Sequence, residues 1–414
     1  MTASVSFIVS GSNSSAAGPR ETPAPAAKSK QESAPSRKWQ RLDTSGFRDS
    51  SHHWRKIRDT SRFIQAVPDQ PAYPPDEVPQ IVANILLFQR ANGGWPKDYD
   101  MLAVLTDEQR KVVIATHDRA DTSFDNHNVH PQVEYLARAY TAGGEESWRQ
   151  ACLRGLDFML AAQLANGGFP QSYPKAKGFA ADITFNDGVT IGVLNVLEDI
   201  AEGLPHWTWL DKARRQRARD AVARGIECIL KCQIRVGDRL TGWCQQHDPV
   251  TFLAAPARTF ELASICPQDS TEVVQFLMRF PKPSARIVAS IDAAVEWLRE
   301  VRLSGTRIEK VPAPVQVFLR HTADFDVVVI ADPKAPPIWA RHYEIGTNRP
   351  IFAGRDGIKR YALGDIARER RTGTPWYGRW PSRLIKVDYP RWKRKQAGPR
   401  VQNEPSAQSP TTQN

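Results

Sequence analysis

Residues 89–97 read QRANGGWPK, and residues 163–171 read QLANGGFPQ. Each stretch follows a segment with apolar residues at three- and four-residue spacing, the mark of an amphipathic helix. Gln89 and Gln163 are therefore expected to close helices. Asn-Gly-Gly would supply the positive φ that ends them, Trp95 or Phe169 would fold back as an anchor, and the proline would prevent continuation. A weaker third copy, Gln233 with Gly242 and Trp243, begins 70 residues after the second. A period of 70–74 residues is two helices plus loops. Serial helix pairs that each bury one face on a neighbour build a solenoid or close into a toroid.

Working outward, helical periodicity runs from about 75 to 303, over 78–91, 131–143, 147–165, 183–203, 210–235 and 283–302. Beyond 303 the text is rich in loops, with VFLRHT (317–322) and DVVVIAD (326–332) as its best strand candidates. The expected class is mainly α: an (α/α) toroid of repeated helix pairs with a smaller β-containing C-terminal segment. Residues 1–37, rich in Ser, Ala and Pro, read as a disordered or signal-like tail, and 386–414 as a basic, polar one. Residues 38–74 read as a partly ordered lead-in, leaving 75–385 as the main domain.

The formal charge of +11 calls for a polyanionic partner. No zinc spacing, aromatic-basic repeat or helix-turn-helix pattern supports nucleic acid, so an acidic polysaccharide has equal standing. No apolar run approaches the ~20 residues of a membrane span. The N-terminus lacks the basic region of a signal peptide. Five cysteines, at 152, 228, 232, 244 and 266, leave the redox compartment open.

Four stretches place polar residues where a helical core would not: SFDNHN (123–128), FNDGVT (185–190), PARTFE (256–261) and WARHYEIGTNRPIFAGRDG (339–357). Asp125-Asn126 and Asn186-Asp187 fall near helix starts, where capping is the plainer reading. Together they also offer the hard oxygen ligands that Ca²⁺ takes. Arg341, Arg349 and Arg355 are interleaved with Trp339, Tyr343, Ile351 and Phe352, which a solvated charge run would not contain. Guanidinium forks on such a platform suit carboxylates. Arg258, taken alone, reads as a salt bridge with Glu261. His127 and His130 lack a zinc pattern, and nucleophile, phosphate-loop and dinucleotide motifs are absent.

With NGGWPKDYDM, DTSFDN, ITFNDGV, PARTFE, WARHYEIGTNRPIFAGRDG and GDIARERRTGTPWYGRWP in view, the chain resembles the pectate lyases of polysaccharide lyase family ten, over about 75–385. The resemblance implies a helical toroid with a β-containing part, acting as a catalytic domain that cleaves polygalacturonate by β-elimination with Ca²⁺. It implies Asp125 and Asp187 as Ca²⁺ ligands with Asn126 beside them, and Arg258 as the base. Arg341 and Arg355 would clamp the substrate carboxylate, with Arg349 and Lys97 as further contacts. It also implies a monomer that is secreted or periplasmic, binding neither nucleic acid nor membrane, and most active well above neutral pH. The sequence departs from the family pattern after PARTFE, where it reads LASICPQDSTEVVQFLM, and at Thr259. The alternative is a pectin-binding relative with the same arginine platform and no turnover. Toroidal terpene cyclases share the Gln/Gly/Trp repeat, but their aspartate-rich motifs are missing here.

Overall fold

The computed structural model describes residues 39–397. The proposed tail 1–37 and the end of the C-terminal tail lie outside the described residues. Helices α1 (Arg48–Lys56), α2 (Val78–Phe88), α3 (Asp107–Ala115), α4 (His130–Gly143), α5 (Glu146–Ala162), α6 (Val189–Glu202), α7 (Lys212–Cys232), α8 (Pro267–Leu277) and α9 (Ala285–Glu300) carry the chain through its first three quarters. Consecutive helices pair as α2/α3, α4/α5, α6/α7 and α8/α9. Helices α2, α4, α6 and α8 then touch one another in order, while α5, α7 and α9 form a second row behind them. This is the two-layered, inner-and-outer arrangement of an (α/α) toroid. The apolar faces of both rows meet in one core, in which Ile81, Leu136, Leu156, Leu194, Ile229 and Ile291 are fully enclosed or nearly so. At ~25 cal/mol per Å² of apolar surface, that burial is the main stabilising term.

The repeated turn works differently from the sequence-based expectation. The helices end at Phe88 and Ala162, and the glutamines that follow are extended, with ψ of 127° and 123°. The positive φ comes four residues later, at Gly93 (91°) and Gly167 (94°). A Cβ there would lie 2.5 Å from the carbonyl oxygen of Arg154 and 2.1 Å from that of Arg224, so only glycine lets the turn press against the next outer helix. Each glutamine spans the joint. Gln89 Nε2 donates to the carbonyls of Gly93 and Ala151, Gln163 Nε2 to those of Gly167 and Ala221, and Gln233 Nε2 to those of Thr241 and Ser290. Trp95 and Trp243 are fully buried and donate their indole N–H to Ile85 and Ile229, anchoring the turn to the helix before it. The weak third copy keeps the glutamine and tryptophan bonds, but a short hairpin, Arg235–Val236 paired with Arg239–Leu240, takes the place of the tight glycine turn.

Caps fix several helix starts: a capping box between Thr106 and Gln109, Asp211 accepting from the amide of Arg214, and Ser284 accepting from that of Ile287. Other differences from the sequence reading have physical causes. The stretch 183–203 is helical only from Val189, because Ile183–Thr184 pairs in a three-stranded sheet with Gln246–His247, itself paired to Ala254–Ala255. VFLRHT is a hairpin turn, not a strand. It connects Thr306–Val317 to Thr322–Ala331, and Phe318 N–H closes onto His321. The first strand of that hairpin carries Pro312 and Pro314, which masked it; the ladder shifts register between Pro312 and Gln316. The lead-in is ordered from 39 and buries Phe47, Trp54 and Ile64. The basic tail begins with a further helix, Tyr389–Gln396, held to α9 by Tyr389 and Lys393 on Asp292 and by buried Trp392.

Candidate active site

The three repeated turns carry the loops of the site. Ser123 N–H donates to the carbonyl of Trp95, and Phe124 N–H to that of Gln171, so the Asp125 loop hangs between the first and second copies. Thr184 N–H donates to the carbonyl of Phe169 and Phe185 N–H to that of Gln245, so the Asp187 loop hangs between the second and third. His127 N–H donates to the carbonyl of Asp187 and ties the two loops together. The third copy reaches on to the C-terminal part: Cys266 N–H bonds the Trp243 carbonyl, and Ile265 exchanges two backbone bonds with Tyr343, two residues after Arg341.

The capping reading of the two acids does not hold. The residues before α4 and α6 are Val129 and Gly188, and neither helix start receives a side-chain cap. The loops are held in the left-handed region at Asn126 (57°), His127 (51°), Val129 (75°) and Asp187 (53°). Such residues cost about 1–3 kcal/mol each and persist only where the surroundings impose them. Freed from capping, both carboxylates face one cavity of about 930 Å³, which is also lined by Lys97, Asn126, Arg258, Arg341 and Arg355.

Lys97 Nζ is ion-paired to Asp125 Oδ2, while Asp125 Oδ1 is buried without a hydrogen-bond partner. Burial alone would raise Asp125, but the ammonium of Lys97 outweighs it and holds the carboxyl at about 2. Asp187 accepts from Asn186 Nδ2 at 2.8 Å, and Asn186 is in turn fixed by Gln246 at 2.9 Å. Burial and the charge of Asp125 push Asp187 well above the usual carboxylate range. Two carboxylates that cannot both ionise comfortably, with one oxygen unsatisfied, form an oxygen-only donor set short of positive charge. A hard divalent cation such as Ca²⁺ fits that set. Asn126 lines the same cavity, but its amide N–H donates to Asp98 at 2.6 Å.

The opposite wall is cationic. Arg258 grips Glu261 through Nε (2.7 Å) and Nη2, which leaves Nη1 as the guanidinium nitrogen that Glu261 does not engage. Burial would lower its pKa, but the carboxylate of Glu261 more than offsets this and the guanidinium is held charged. Arg355 grips Glu369 through Nε (3.2 Å) and Nη2 (2.8 Å). Arg341 reaches the side chain of Gln268 at 3.4 Å, on α8. The divergent stretch after PARTFE thus forms a wall of the cavity. Arg349 is placed elsewhere: its guanidinium sits 3.6 Å from the ring centre of Tyr361, and it does not line the cavity.

Sequence reasoning missed Arg370. It is 6 % exposed, lines the cavity, and leaves Nε without a good hydrogen bond, although Glu369 lies 3.1 Å away. Burial, with Arg355 and Arg258 nearby, lowers its pKa despite Glu369. Arg258, Arg355 and Arg370 all lie over the ring of Phe260, at 5.0, 5.7 and 4.3 Å from its centre. The available signal was the motif ARERRTGTPWYG, which lies within the stretch GDIARERRTGTPWYGRWP that carries the resemblance. Four guanidiniums face two carboxylates here, so the wall carries surplus positive charge suited to an anionic ligand.

A second acidic group lies away from this cavity. Ligand atoms of Glu134, Asp199 and His206 fall within 4.8 Å of one another. Arg138 is ion-paired to Glu134 and Arg279 to Asp199, so both of its carboxylates already have a cationic partner, whereas among the described residues Asp187 has no ion pair.

A family model described as pectic acid lyase matches residues 89–385. No curated protein matches the chain. Two solved structures of a family 10 polysaccharide lyase from Cellvibrio cellulosa are similar to it. One is 28% identical, covering 75% of this chain and 91% of the other, with a TM-score of 0.66. The second is an aspartate-to-alanine mutant in complex with trigalacturonic acid, 27% identical over 75% and 92% of the two chains, again with a TM-score of 0.66.

Proposed function

The chain belongs to the pectic acid lyase family and is a pectate lyase; from that premise we propose that it cleaves polygalacturonate by calcium-dependent β-elimination and releases unsaturated oligogalacturonates. One observation carries the reading: an acid pair short of positive charge and a guanidinium wall with charge to spare face each other across a single cavity.

Asp125 and Asp187 would hold the calcium ion, with Asn126 at their edge. Bound there, Ca²⁺ supplies positive charge against the substrate's carboxylate and so favours loss of the neighbouring proton. Arg341 and Arg355, with Arg370 behind them, clamp that carboxylate and stabilise the charge that spreads onto it. Such a donor contributes about 3–4 kcal/mol when it is aimed at developing charge. Arg258 takes the C5 proton through the nitrogen that Glu261 leaves unengaged. The electrons of the C–H bond form the C4–C5 double bond, the C4–O bond breaks, and the departing oxygen takes a proton from water. Because Glu261 favours the charged guanidinium, base action is confined to alkaline conditions or to moments when other cations crowd Arg258. Lys97 holds Asp125 ionised and oriented.

The substrate's location argues for a secreted or periplasmic protein, and the contained site for a monomer. The test is ultraviolet absorbance during incubation with polygalacturonate at alkaline pH, with calcium and with chelator. Calcium-dependent growth of the unsaturated chromophore is expected. New reducing ends without that chromophore would establish hydrolysis and overturn the reading.

A further inference from the structure

Two described segments extend beyond the span matched by the family model, 89–385. The first holds α1 and the loop after it, whose His52, His53 and Ile57 line the cavity. The second ends a helical run near the other terminus. That run starts directly after Trp380, itself a lining residue of the cavity. It passes through Pro381–Arg383, a π-helical turn at Leu384–Asp388 and the helix Tyr389–Gln396. At the rise of an α-helix the run is ~24 Å long. Its first turn packs on α8, whose Gln268 also lines the cavity, and the next on α9, so it leads from the inner row of helices across the outer one. Buried Leu384 and Trp392, with the bonds of Tyr389 and Lys393 to Asp292, fix it to the body.

This fixed helix is crowded with positive charge. Residues 379–396 hold seven Arg or Lys and one acid, Asp388, a surplus of six charges in a chain whose total is +11. Asp388 is engaged by Arg383 at 3.3 Å, and Asp292 of α9 by Lys393 at 2.9 Å. Arg379, Lys386, Arg391, Arg394 and Lys395 are exposed, and among the described residues none of them has an ion pair. The helix dipole accounts for cations in the last turn, Arg394 and Lys395, but not for Arg379, Lys386 or Arg391 before it. Arg391 stands three residues from Arg394 and four from Lys395, spacings at which like charges destabilise a helix. A solvated surface helix relieves such crowding with interspersed acids, and none lies between Asp388 and Gln396. The unmet charge is complementary to a polyanion.

We propose that this helix is a second binding surface for the polymer: the part of a galacturonate chain beyond the cleft lies along Arg379, Lys386, Arg391 and Arg394, which holds long polymer more tightly than short oligomers. Continuity with the cleft through Trp380 favours an acidic polysaccharide over nucleic acid. Contact at the helix becomes intramolecular once the cleft is occupied, so the two sites reinforce each other. The proposal rests on the lyase reading for the identity of the polymer and adds where its remote length is held.

The test uses the triple variant Lys386→Gln/Arg391→Gln/Arg394→Gln, which leaves Tyr389, Trp392 and Lys393 in place. Polygalacturonate is first titrated into each protein in chelator at low ionic strength, so that binding is read without turnover. The triple variant should bind about tenfold more weakly, the combined effect of three exposed charge contacts. The difference should vanish in about 1 M salt, where the screening length is ~3 Å. Arg391→Lys/Arg394→Lys, which keeps the charges, should bind as the wild type does. With calcium, the triple variant should show a KM for polymer raised about tenfold, an unchanged kcat, and unchanged kcat/KM on trigalacturonic acid. A folded triple variant with wild-type affinity for polymer overturns the proposal. Equal losses on trimer and polymer would make the helix a prop of the cleft and overturn it as well. A DNA duplex bound more tightly than polygalacturonate, with that binding lost in the triple variant, would assign the surface to nucleic acid and likewise overturn it. Weakened polymer binding in the variant, with no chromophore from either protein, would uphold the binding surface and overturn the lyase reading alone.

Discussion

The helical part, 78–303, and the loop-rich part, 304–385, build the site in opposite ways. The helical part contributes the acids, Asp125 and Asp187, on loops strung between successive copies of one turn. The later part contributes Arg341, Arg355 and Arg370 from short strands, turns and the six-residue helix Arg368–Gly373. One part is periodic and packs by burying stripes. The other holds its shape with ion pairs and aromatic contacts such as those of Trp376, and leans Arg355 and Arg370 on Phe260 of the helical part. Arg258, on the loop before α8, sits at the seam. Charge of each sign is therefore set by a different kind of architecture, which makes the two walls separable by mutation.

The largest expected effect lies at the seam. Arg258→Ala should reduce kcat by about 10³-fold or more, in line with loss of a general base, while polymer affinity measured by titration changes little. If affinity collapsed with turnover, Arg258 would be another clamp of the cationic wall. Next come the acids. Calcium should raise the Tm of the wild-type protein by mass action, and Asp125→Ala or Asp187→Ala should abolish that shift. A calcium shift that survived in both variants would move the metal to another place, with the Glu134–Asp199–His206 group the first to examine. A third test concerns the scaffold alone. Gln163→Ala removes the donor to two buried carbonyls and should cost about 1–3 kcal/mol in denaturant unfolding. Arg349→Ala should leave kcat/KM within about twofold, as for a surface contact, because its guanidinium lies on Tyr361 outside the cavity. A larger loss would bring Arg349 back to the substrate.

The same contrast decides what could be read from the sequence. The helical part was legible because burial forces a period: the helix pairs, the repeat and even its faint third copy follow from apolar spacing and from Gln, Gly and Trp. Its details were less so. A glycine five residues past a helix end looks like a C-cap, and only the contact with Arg154 or Arg224 shows it to be a packing requirement. In the later part no period exists, so the first strand of the long hairpin was misplaced onto its turn, while DVVVIAD does fall on the second strand. The acids stood out because they interrupt a helical pattern. The arginines Arg341 and Arg355 stood out through their aromatic company. Arg370 did not, since its burial depends on Phe260, over a hundred residues earlier. The contribution of α1 to the cavity had no local signal at all, being fixed by contacts with Arg320 and with the Asp98–Asp100 loop.

That third contributor gives the smallest and most discriminating prediction. His53, on α1, lies against Asp49 at 3.3 Å and faces Asp98, with His52 stacked edge-on beside it. Burial alone would lower its pKa, but the hydrogen bond it donates to Asp49 and the charges of Asp98 and Asp49 overcome this and raise it to about 9. A group whose folded pKa lies above its unfolded value stabilises the folded state fully below the unfolded value, near 6.5, and ceases to do so as pH rises through about 9. The wild-type Tm should therefore fall between pH 7 and pH 9.5 by about 2 °C more than that of Asp49→Asn, the scale set by roughly 1 kcal/mol in a chain of this size. Parallel Tm curves for the two proteins would show that α1 is docked by apolar contacts, its own Trp54 and the preceding Phe47, and that its charges add nothing to the acid wall. A divergence beginning below pH 7 instead would place the titration on His127, whose pKa burial lowers despite Asp49 and Asp125, and would tie α1 directly to the Asp125 loop.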